Sequence, residues 1–361
     1  MANPVGTDVA GSCDMSASAP LSVGVIANPS SGRDMRRLLA WASVFPVAEK
    51  VNVMLRLLSA MGRMGVAQAW MIPDAAGMAV RVCEAADLAR SQRGLPMPQL
   101  RLLDMPVNDN ALDSVTATQL MLRHGVRLIA VLGGDGTHRA VAAHCGRVPL
   151  ATLSTGTNNA FPELREATLV GMASALVASG RVPDAIGVRA NKRLRVTGAG
   201  VNELALVDVA LSRQLGTGAR AVWEGADLSD VYATFAEANA IGLSSIAGLS
   251  HPVARSDPFG LHLKLGTGRS LWAPILPGAL QRVSITSVTR LLPHQPVALP
   301  AMRGTVALDG ERELELDPGD RLQVELDFDG PRTVEVEAAL AHAAREGLMF
   351  EDSTTFNPAS R

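Results

Sequence analysis

The chain has 361 residues, of which 47% are hydrophobic and 19% are charged, and its formal net charge at pH 7 is −2. This length allows two domains, each with its own hydrophobic core. Because the sequence has no basic excess and only 3% of its residues are aromatic, a nucleic-acid-binding protein is not expected.

The first 20 residues are small and polar, without the basic start and apolar run of a secretory signal, and we predict a disordered lead-in there. No apolar run reaches the roughly 18 residues that a membrane span needs. The three cysteines are far apart in sequence, which is typical of thiols that stay reduced. These features predict a cytoplasmic protein and leave open whether it forms a homo-oligomer.

Strand-like and helix-like patterns alternate through the first part of the chain, residues 21–162. The predicted strands are 23–27, 68–73, 100–105, 128–132 and 149–153, and the predicted helices are 35–44, 47–64, 74–93 and 111–124, with another after the fourth strand. This rhythm predicts an α/β domain with a parallel, Rossmann-like sheet and helices on both faces.

The rhythm changes after a predicted helix over 163–180. Short alternating runs follow at 185–189, 194–197, 204–211, 282–289, 304–308 and 321–326, with a predicted helix near 228–238. They predict a mainly antiparallel β domain over residues 163–335. A last helix-like stretch, residues 338–345, can return to the first domain, which would then include residues 336–361.

Three of the predicted strands end in polar, glycine-containing turns. These turns are Asn28-Pro29-Ser30-Ser31-Gly32-Arg33, Gly133-Gly134-Asp135-Gly136-Thr137 and Ser154-Thr155-Gly156-Thr157-Asn158-Asn159. In an open parallel sheet the ligand binds beyond the carboxyl ends of the strands, so these turns converge on one crevice if their strands are neighbours.

The middle turn is suited to phosphate. Its glycines let the main chain approach an anion and permit left-handed backbone conformations, and the N–H groups of the next helix point at the same place. A carboxylate there would repel phosphates unless it has a task, so we expect Asp135 to hold Mg²⁺ or a hydroxyl that attacks phosphorus. The alternative is an Asp-Gly turn of purely geometric role. Arg33 and Arg139 are placed to contact phosphate, or are solvated helix residues.

Other common chemistries are disfavoured. The sequence has no Gly-Lys pair for a Walker-type loop, no G-x-G-x-x-G that opens a helix and no G-x-S-x-G nucleophile elbow. His138 and His144 are six residues apart and have no cysteine partner at metal-ligand spacing, so we interpret both as structural or solvent-facing.

Taken in this order, the three turns resemble the superfamily that joins NAD kinases to diacylglycerol and sphingoid-base kinases, and most of all its AcoX branch, named for acetoin catabolism. The resemblance implies an ATP-dependent kinase that uses Mg²⁺ or another divalent cation. It also implies that Asp135 orients and deprotonates the acceptor hydroxyl. The residues implied to bind the triphosphate are Asn28, Gly32, Arg33, Gly133, Gly134, Gly136, Thr137, Gly156, Thr157 and Asn158.

The identity of the acceptor is less defined. Asn202 and Glu203 resemble the Asn-Glu pair with which NAD kinases hold the dinucleotide, which implies NAD⁺ as acceptor and its 2′-OH as nucleophile. The stretch 242–250 is similar to a Gly-Ser-Thr-Ala-Tyr-Ser segment of that family but lacks the tyrosine. Asp309 and Glu311, in an Asp-Gly-Glu sequence, resemble a catalytic element of lipid kinases. A lipid kinase and a catalytically silent nucleotide-binding protein therefore stay open as alternatives.

Overall fold

The computed structural model describes residues 20–31, 41, 45–156, 159–198, 200–217, 221–222 and 224–350. Several predictions fall on residues outside these ranges. They are the lead-in up to residue 19, the helix over 35–44 apart from Trp41, and the site residues Gly32, Arg33, Thr157 and Asn158.

The described helices are α1 (Val47–Arg63), α2 (Met78–Arg93), α3 (Ala111–Arg123), α4 (Asp135–Ala142), α5 (Ala167–Ala178), α6 (Asp184–Gly187), α7 (Ser244–Ser250) and α8 (Val336–Arg345). The strands are β1 (Ser22–Ala27), β2 (Gln68–Met71), β3 (Gln99–Leu102), β4 (Ile129–Gly133), β5 (Leu150–Ser154), β6 (Val188–Ala190), β7 (Arg193–Gly198), β8 (Val201–Ala205), β9 (Asp208–Ser212), β10 (Leu228–Ala233), β11 (Gly260–Leu276), β12 (Ala279–Leu291), β13 (Val297–Ala298), β14 (Gly304–Leu308), β15 (Glu311–Leu316), β16 (Gln323–Asp327) and β17 (Arg332–Val334).

The first sheet has the strand order β3-β2-β1-β4-β5-β17-β6, and its first six strands run parallel. Both faces are covered, because alternate residues of a strand point to opposite sides. Val23 and Val25 of β1 pack with α1, α2, α5 and α8, whereas Ile26 packs with α3 and α4. The predicted parallel α/β domain is confirmed.

The second part of the chain forms two antiparallel sheets. One has the order β12-β11-β10-β9-β14-β15 and the other the order β13-β16-β7-β8. Val196 of the smaller sheet and Leu211 of the larger one belong to the same buried cluster, so the two sheets pack face to face. Helix α7 covers the other face of the larger sheet, where Ile246 and Ala247 are buried. The predicted mainly antiparallel β domain is therefore confirmed.

Three element predictions were wrong in detail. The predicted helix near 228–238 is the strand β10, which lies between β9 and β11. A central strand is buried on both faces, so its sequence lacks the alternation that marks a half-exposed strand. The predicted strand over 185–189 begins as the short helix α6, and the run over 204–211 divides into β8 and β9.

The chain leaves the first sheet and later returns to it. Strand β17 pairs with both β5 and β6, so residues near 190 and 332 belong to the first sheet. Ala339 and Ala343 of α8 are buried in the same cluster as α5. We propose that the first domain extends to about residue 190 and includes residues 331–350, beyond the boundary at 162 that the sequence predicts.

His138 is a buried group whose ionisation opposes folding. It lies in α4, is 0% exposed, and its Nδ1 donates to the carbonyl oxygen of Gly134 at 2.9 Å. Its Nε2 has no hydrogen-bond partner among the described residues. Burial lowers the pKa of this imidazole from 6.5 to about 4, so the side chain is neutral in the folded protein at neutral pH.

We expect His138 to make the protein less stable in acid. Between pH 6.5 and about 4 the unfolded chain binds a proton that the folded chain does not, so the free energy of unfolding falls as the pH falls, by up to roughly 3 kcal/mol. Urea denaturation across this range should show a flatter pH dependence in His138→Phe. The exposed His144 supplies the control, and an equal flattening in His144→Phe would contradict this assignment.

Candidate functional site

The three polar turns meet at one edge of the first sheet. Strands β1, β4 and β5 are adjacent and parallel, with Ala27 opposite Leu132 and Gly133 opposite Ser154. The carboxyl ends of the three strands therefore lie side by side, as expected for a ligand crevice of an open α/β sheet.

The first turn is tied to the middle turn by a carboxamide. Asn28 Nδ2 donates to the hydroxyl of Thr137 at 3.0 Å, and its Oδ1 accepts from the main-chain N–H of Ser30 at 2.8 Å. Asn28 thus fixes both the local turn and its distance from α4. Two of the predicted phosphate-binding residues, Asn28 and Thr137, are brought into direct contact.

A buried lysine holds the first turn from below. Lys50 lies in the first turn of α1, is 0% exposed, and donates to the carbonyl oxygens of Asn28, Pro29 and Ser31 at 3.0, 2.7 and 2.7 Å. These carbonyls belong to a turn and have no strand partners, and the ammonium donates to all three, while the Asn28 carbonyl also accepts from the Ser31 hydroxyl at 2.8 Å. Sequence analysis missed Lys50; its one signal is that the chain has only three lysines and this one follows the turn closely.

The glycines of the middle turn are needed for the lack of a side chain and not for an unusual backbone conformation. Gly134 is the N-cap of α4 with φ of −93°, and none of the three glycines has positive φ, so the turn does not use the left-handed conformations that glycine permits. A Cβ on Gly133 would lie 2.7 Å from Cβ of Thr137. At Gly136 a Cβ would lie 3.6 Å from a carboxylate oxygen of Glu311. The turn is closely packed on one side and faces Glu311 on the other.

Asp135 begins α4 and is held by the third turn. Its Oδ1 accepts from the N–H of Phe161 at 2.9 Å, and its Oδ2 accepts from the N–H of Ala160 at 3.1 Å. Main-chain N–H donors stabilise the ionised carboxylate.

Arg255 of the second part of the chain holds the same dipeptide from the opposite side. Its guanidinium donates to the carbonyl oxygens of Ala160 and Phe161 at 2.7 and 3.1 Å, and to Glu237 at 3.1 Å. It is only 8% exposed and lies 4.0 Å above the centre of the Phe235 ring. The dipeptide that positions Asp135 is therefore clamped between both domains. Sequence analysis missed Arg255, which lies in no recognisable motif.

The rest of the third turn is linked to the first. The hydroxyl of Thr155 donates to the hydroxyl of Ser31 at 2.7 Å, and Asn159 Nδ2 donates to the hydroxyl of Ser154 at 2.8 Å. Ser154 Oγ in turn donates to the carbonyl oxygen of Gly156 at 2.9 Å. The described part of the turn is thus a set of short polar contacts next to Asp135.

Arg139 joins α4 to the second domain. It donates to Glu313 at 2.7 Å and to the carbonyl oxygen of Leu308 at 3.3 Å, and its Nε lies 3.9 Å from Asp309. The side chain is 14% exposed. Arg139 is therefore not a solvated helix residue, and its contact with phosphate stays a prediction.

Asp309 has a structural task. Its Oδ1 accepts from the main-chain N–H groups of Leu206, Val207 and Asp208 at 3.0, 2.8 and 3.3 Å. Burial raises the pKa of this carboxyl, and Arg139 together with the three N–H donors opposes the rise. These contacts give Asp309 a structural role, and its catalytic role stays a prediction. The Asp-Gly-Glu sequence nevertheless brings Glu311 to Gly136.

A narrow interdomain cleft with a volume of about 20 Å³ lies beside Asp135. Its lining consists of Asp135, Ala160, Asp208, Val222, Ile241, Gly242, Leu243, Ile275, Asp309 and Gly310. Gly242 and Leu243, the start of the 242–250 stretch that the sequence comparison singled out, therefore border the cleft. The remainder of that stretch forms α7.

The cleft offers too few side chains to bind a divalent cation without the phosphates of a substrate. Among the residues that the structure describes, no three His, Cys, Asp or Glu side chains form a group that could hold a metal. Mg²⁺ is commonly bound by one or two carboxylates together with substrate phosphates. Asp135 and Asp208, both in the lining, are suited to supply that protein share.

The predicted acceptor pair lies elsewhere. Asn202 and Glu203 are exposed on β8, the edge strand of the smaller antiparallel sheet, and Asn202 accepts from Arg195 at 3.4 Å. Neither residue is part of the described lining of the cleft. Their role in binding the acceptor stays a prediction.

Comparison with known proteins agrees with this geometry. Residues 23–182 match the model of the ATP-NAD kinase N-terminal domain, and residues 185–329 match that of the acetoin catabolism protein X C-terminal domain. The fold and site thus define an NAD kinase-like protein of two domains.

Acetoin catabolism protein X of Cupriavidus necator is 45% identical over 337 residues, which cover 91% of this chain and 93% of that protein. The chain belongs to the acetoin catabolism protein X family. Among solved structures, a putative diacylglycerol kinase from Bacillus anthracis str. Sterne has 14% identity and a TM-score of 0.43, covering 87% of this chain and 97% of its own. No helix in the described ranges is long and apolar enough to cross a membrane.

The clamp makes a testable prediction about Arg255. A lysine ammonium cannot reproduce the planar fork with which this guanidinium contacts two carbonyls and a carboxylate while it lies over the Phe235 ring, so Arg255→Lys should loosen the dipeptide that holds Asp135. We expect hydrogen exchange of the Ala160 and Phe161 amides to accelerate by roughly 10-fold or more, which corresponds to about 1.4 kcal/mol of lost protection.

The control is Arg290→Lys, since Arg290 also lies over a phenylalanine ring, that of Phe259, but is exposed. This variant should leave exchange at Ala160 and Phe161 unchanged. If both variants behaved alike, or if Arg255→Lys had no effect on these two amides, the clamp would not position Asp135.

Proposed function

We propose that this protein is an ATP-dependent kinase of the NAD kinase type, which transfers the γ-phosphoryl group of ATP to the 2′-OH of NAD⁺ and forms NADP⁺. The observation that carries the proposal is the position of Asp135. This carboxylate stands at the start of α4, where three polar turns meet, and borders the cleft to the second domain.

The first domain offers donors for a triphosphate. The first N–H groups of α4 have no partners within the helix, and their dipoles favour an anion. The turns beside them are fixed by the Asn28–Thr137 bond and by Lys50, so little conformational entropy is lost when a nucleotide binds. We assign the triphosphate to this edge, with Gly32, Arg33, Thr157 and Asn158 as further proposed contacts.

Asp135 is the group proposed to act on the acceptor. Two main-chain amides hold its carboxylate in place at the border of the cleft, where it is proposed to orient a hydroxyl and take its proton. A bound divalent cation would neutralise charge on the transferred phosphoryl group, and Asp135 and Asp208 would hold it. The exposed edge strand with Asn202 and Glu203 is the proposed contact for the rest of the dinucleotide.

A lipid kinase is the second candidate, favoured by Glu311. Its carboxylate faces Gly136, and the residue belongs to an Asp-Gly-Glu sequence that resembles a lipid kinase element. In that case the lipid acceptor would pack against the apolar wall of the cleft, which is formed by Ile241, Leu243 and Ile275. The two candidates share Asp135 and differ in the acceptor.

We expect Asp135→Asn to separate catalysis from metal binding. If the carboxylate acts as a general base, ATP and acceptor should bind within a few-fold of wild type while turnover falls by roughly 10²-fold or more. If it is mainly a metal ligand, binding of Mg-ATP should weaken and the residual rate should recover at high Mg²⁺. Product formation from NAD⁺, NADH, diacylglycerol and sphingosine is followed by mass.

Asp104→Asn is the matched control, because Asp104 is exposed and lies outside the described lining of the cleft. It should retain wild-type rates. A contaminating kinase would give the same activity in both variants, so a loss in Asp135→Asn alone assigns the activity to this protein. Equal turnover of wild type and Asp135→Asn would refute both roles. A wild type that binds ATP without phosphorylating any acceptor would favour the catalytically silent alternative.

A further inference from the structure

A second concave site lies in the helical layer of the first domain. The helical groove, as we call it, is bounded by α1, α2, α5 and residues 95–97, and has a volume of about 660 Å³. Sites for small molecules commonly have volumes of about 300–1,000 Å³. Leu88 and Leu95 in its wall are 46% and 38% exposed, so the described residues leave this apolar surface open.

The walls of the groove are fixed by close main-chain contacts. A Cβ on Gly171 of α5 would lie 2.5 Å from the carbonyl oxygen of Leu57 in α1, and a Cβ on Gly62 would lie 1.8 Å from that of Pro96. Only glycine permits helices and loop to approach so closely. The groove is therefore a preformed cavity between rigid elements.

The lining combines an apolar surface with cationic side chains. Leu55, Met64, Leu88, Met97 and Met172 line it together with arginines and two hydroxyl residues, and no acidic side chain belongs to its described lining. Methionine side chains adapt to irregular apolar ligands. The surface thus accommodates an aliphatic chain.

Two of the arginines are available to an anion. Arg56 is neutralised by Glu49 and Glu166 at 3.2 and 3.1 Å. Arg63 and Arg93 are exposed in the last turns of α1 and α2, and neither has a hydrogen bond or ion pair within the described part of the chain. Guanidinium groups match carboxylates bidentately.

The helical groove is separate from the interdomain cleft. Arg63 is 13 residues beyond Lys50 on the same helix, which corresponds to about 20 Å along the axis. Lys50 holds the first turn of the candidate active site, whereas Arg63 borders the groove. A ligand of the groove is therefore not the substrate of the cleft.

We propose that the helical groove binds an amphipathic anion: a single aliphatic chain of medium length whose carboxylate pairs with Arg63 and Arg93. The apolar lining buries the chain, and the two guanidinium groups select the charge of the head group. The concave shape fits one dissolved molecule of this kind and not a membrane surface.

The test is calorimetric titration of the full chain with dodecanoate below the concentration at which it forms micelles. We expect one site per chain, an affinity that falls at least 10-fold in Arg63→Gln/Arg93→Gln, and loss of binding in Ala85→Trp, which fills the groove. Arg123→Gln is the matched control, since Arg123 is also exposed in the last turn of a helix but lies outside the described lining. It should bind like wild type.

Several results would overturn the proposal. Equal binding of dodecyltrimethylammonium would show that charge is not selected, and unchanged binding in Ala85→Trp would place the ligand elsewhere. Binding to phosphatidylglycerol vesicles without binding to dissolved dodecanoate would identify a membrane contact. Sedimentation that shows a dimer, lost in Ala85→Trp and unaffected by dodecanoate, would identify a second copy as the occupant.

Discussion

The candidate site depends on one peptide segment that both domains hold. The N–H groups of Ala160 and Phe161 donate to Asp135, while their carbonyl oxygens accept from Arg255. Each bond involves a charged group and is stronger than a bond between neutral partners. Because the segment cannot move without breaking bonds on both sides, the position of Asp135 relative to the second domain is set by main-chain geometry.

The same principle recurs wherever the chain has irregular structure around the site. Lys50 donates to three carbonyls of the first turn, and Lys192 donates to the carbonyls of Ala254, Asp257 and Phe259, close to Arg255. Buried turns lack the regular main-chain hydrogen bonds of strands and helices. A buried charge with several main-chain partners takes the place of those hydrogen bonds. Removing such a charge would take a donor from three carbonyls at once.

The alternating part of the fold was predictable because local sequence determines it. Apolar runs of five residues ending in glycine turns defined β1, β4 and β5, and their parallel order then implied that the turns converge. Strand β10 was missed because burial on both faces removes its period of two. Local pattern fails where tertiary contacts decide the structure.

The candidate site shows the same limit. Asp135 was identifiable because the chemistry of a carboxylate in a glycine turn is unusual, whereas Lys50 and Arg255 act across distances of about 20 and 95 residues in sequence. Their partners are main-chain atoms, which carry no residue identity and so leave no motif. Only the fold reveals that these two cations hold the turns on either side of Asp135.

The Asp-Gly-Glu sequence shows how one motif divides its tasks. Asp309 and Gly310 have φ of 52° and 76° and form the two-residue turn between β14 and β15, where the left-handed conformation suits this residue pair. The Asp309 carboxylate accepts from three N–H groups, two in the connection between β8 and β9 and one at the start of β9, and these bonds fix the turn beside the cleft. Glu311 then has a defined position beside Gly136. The first domain thus presents Asp135 and the polar turns, and the hairpin of the second domain places Asp309 and Gly310 in the lining of the cleft and Glu311 beside Gly136.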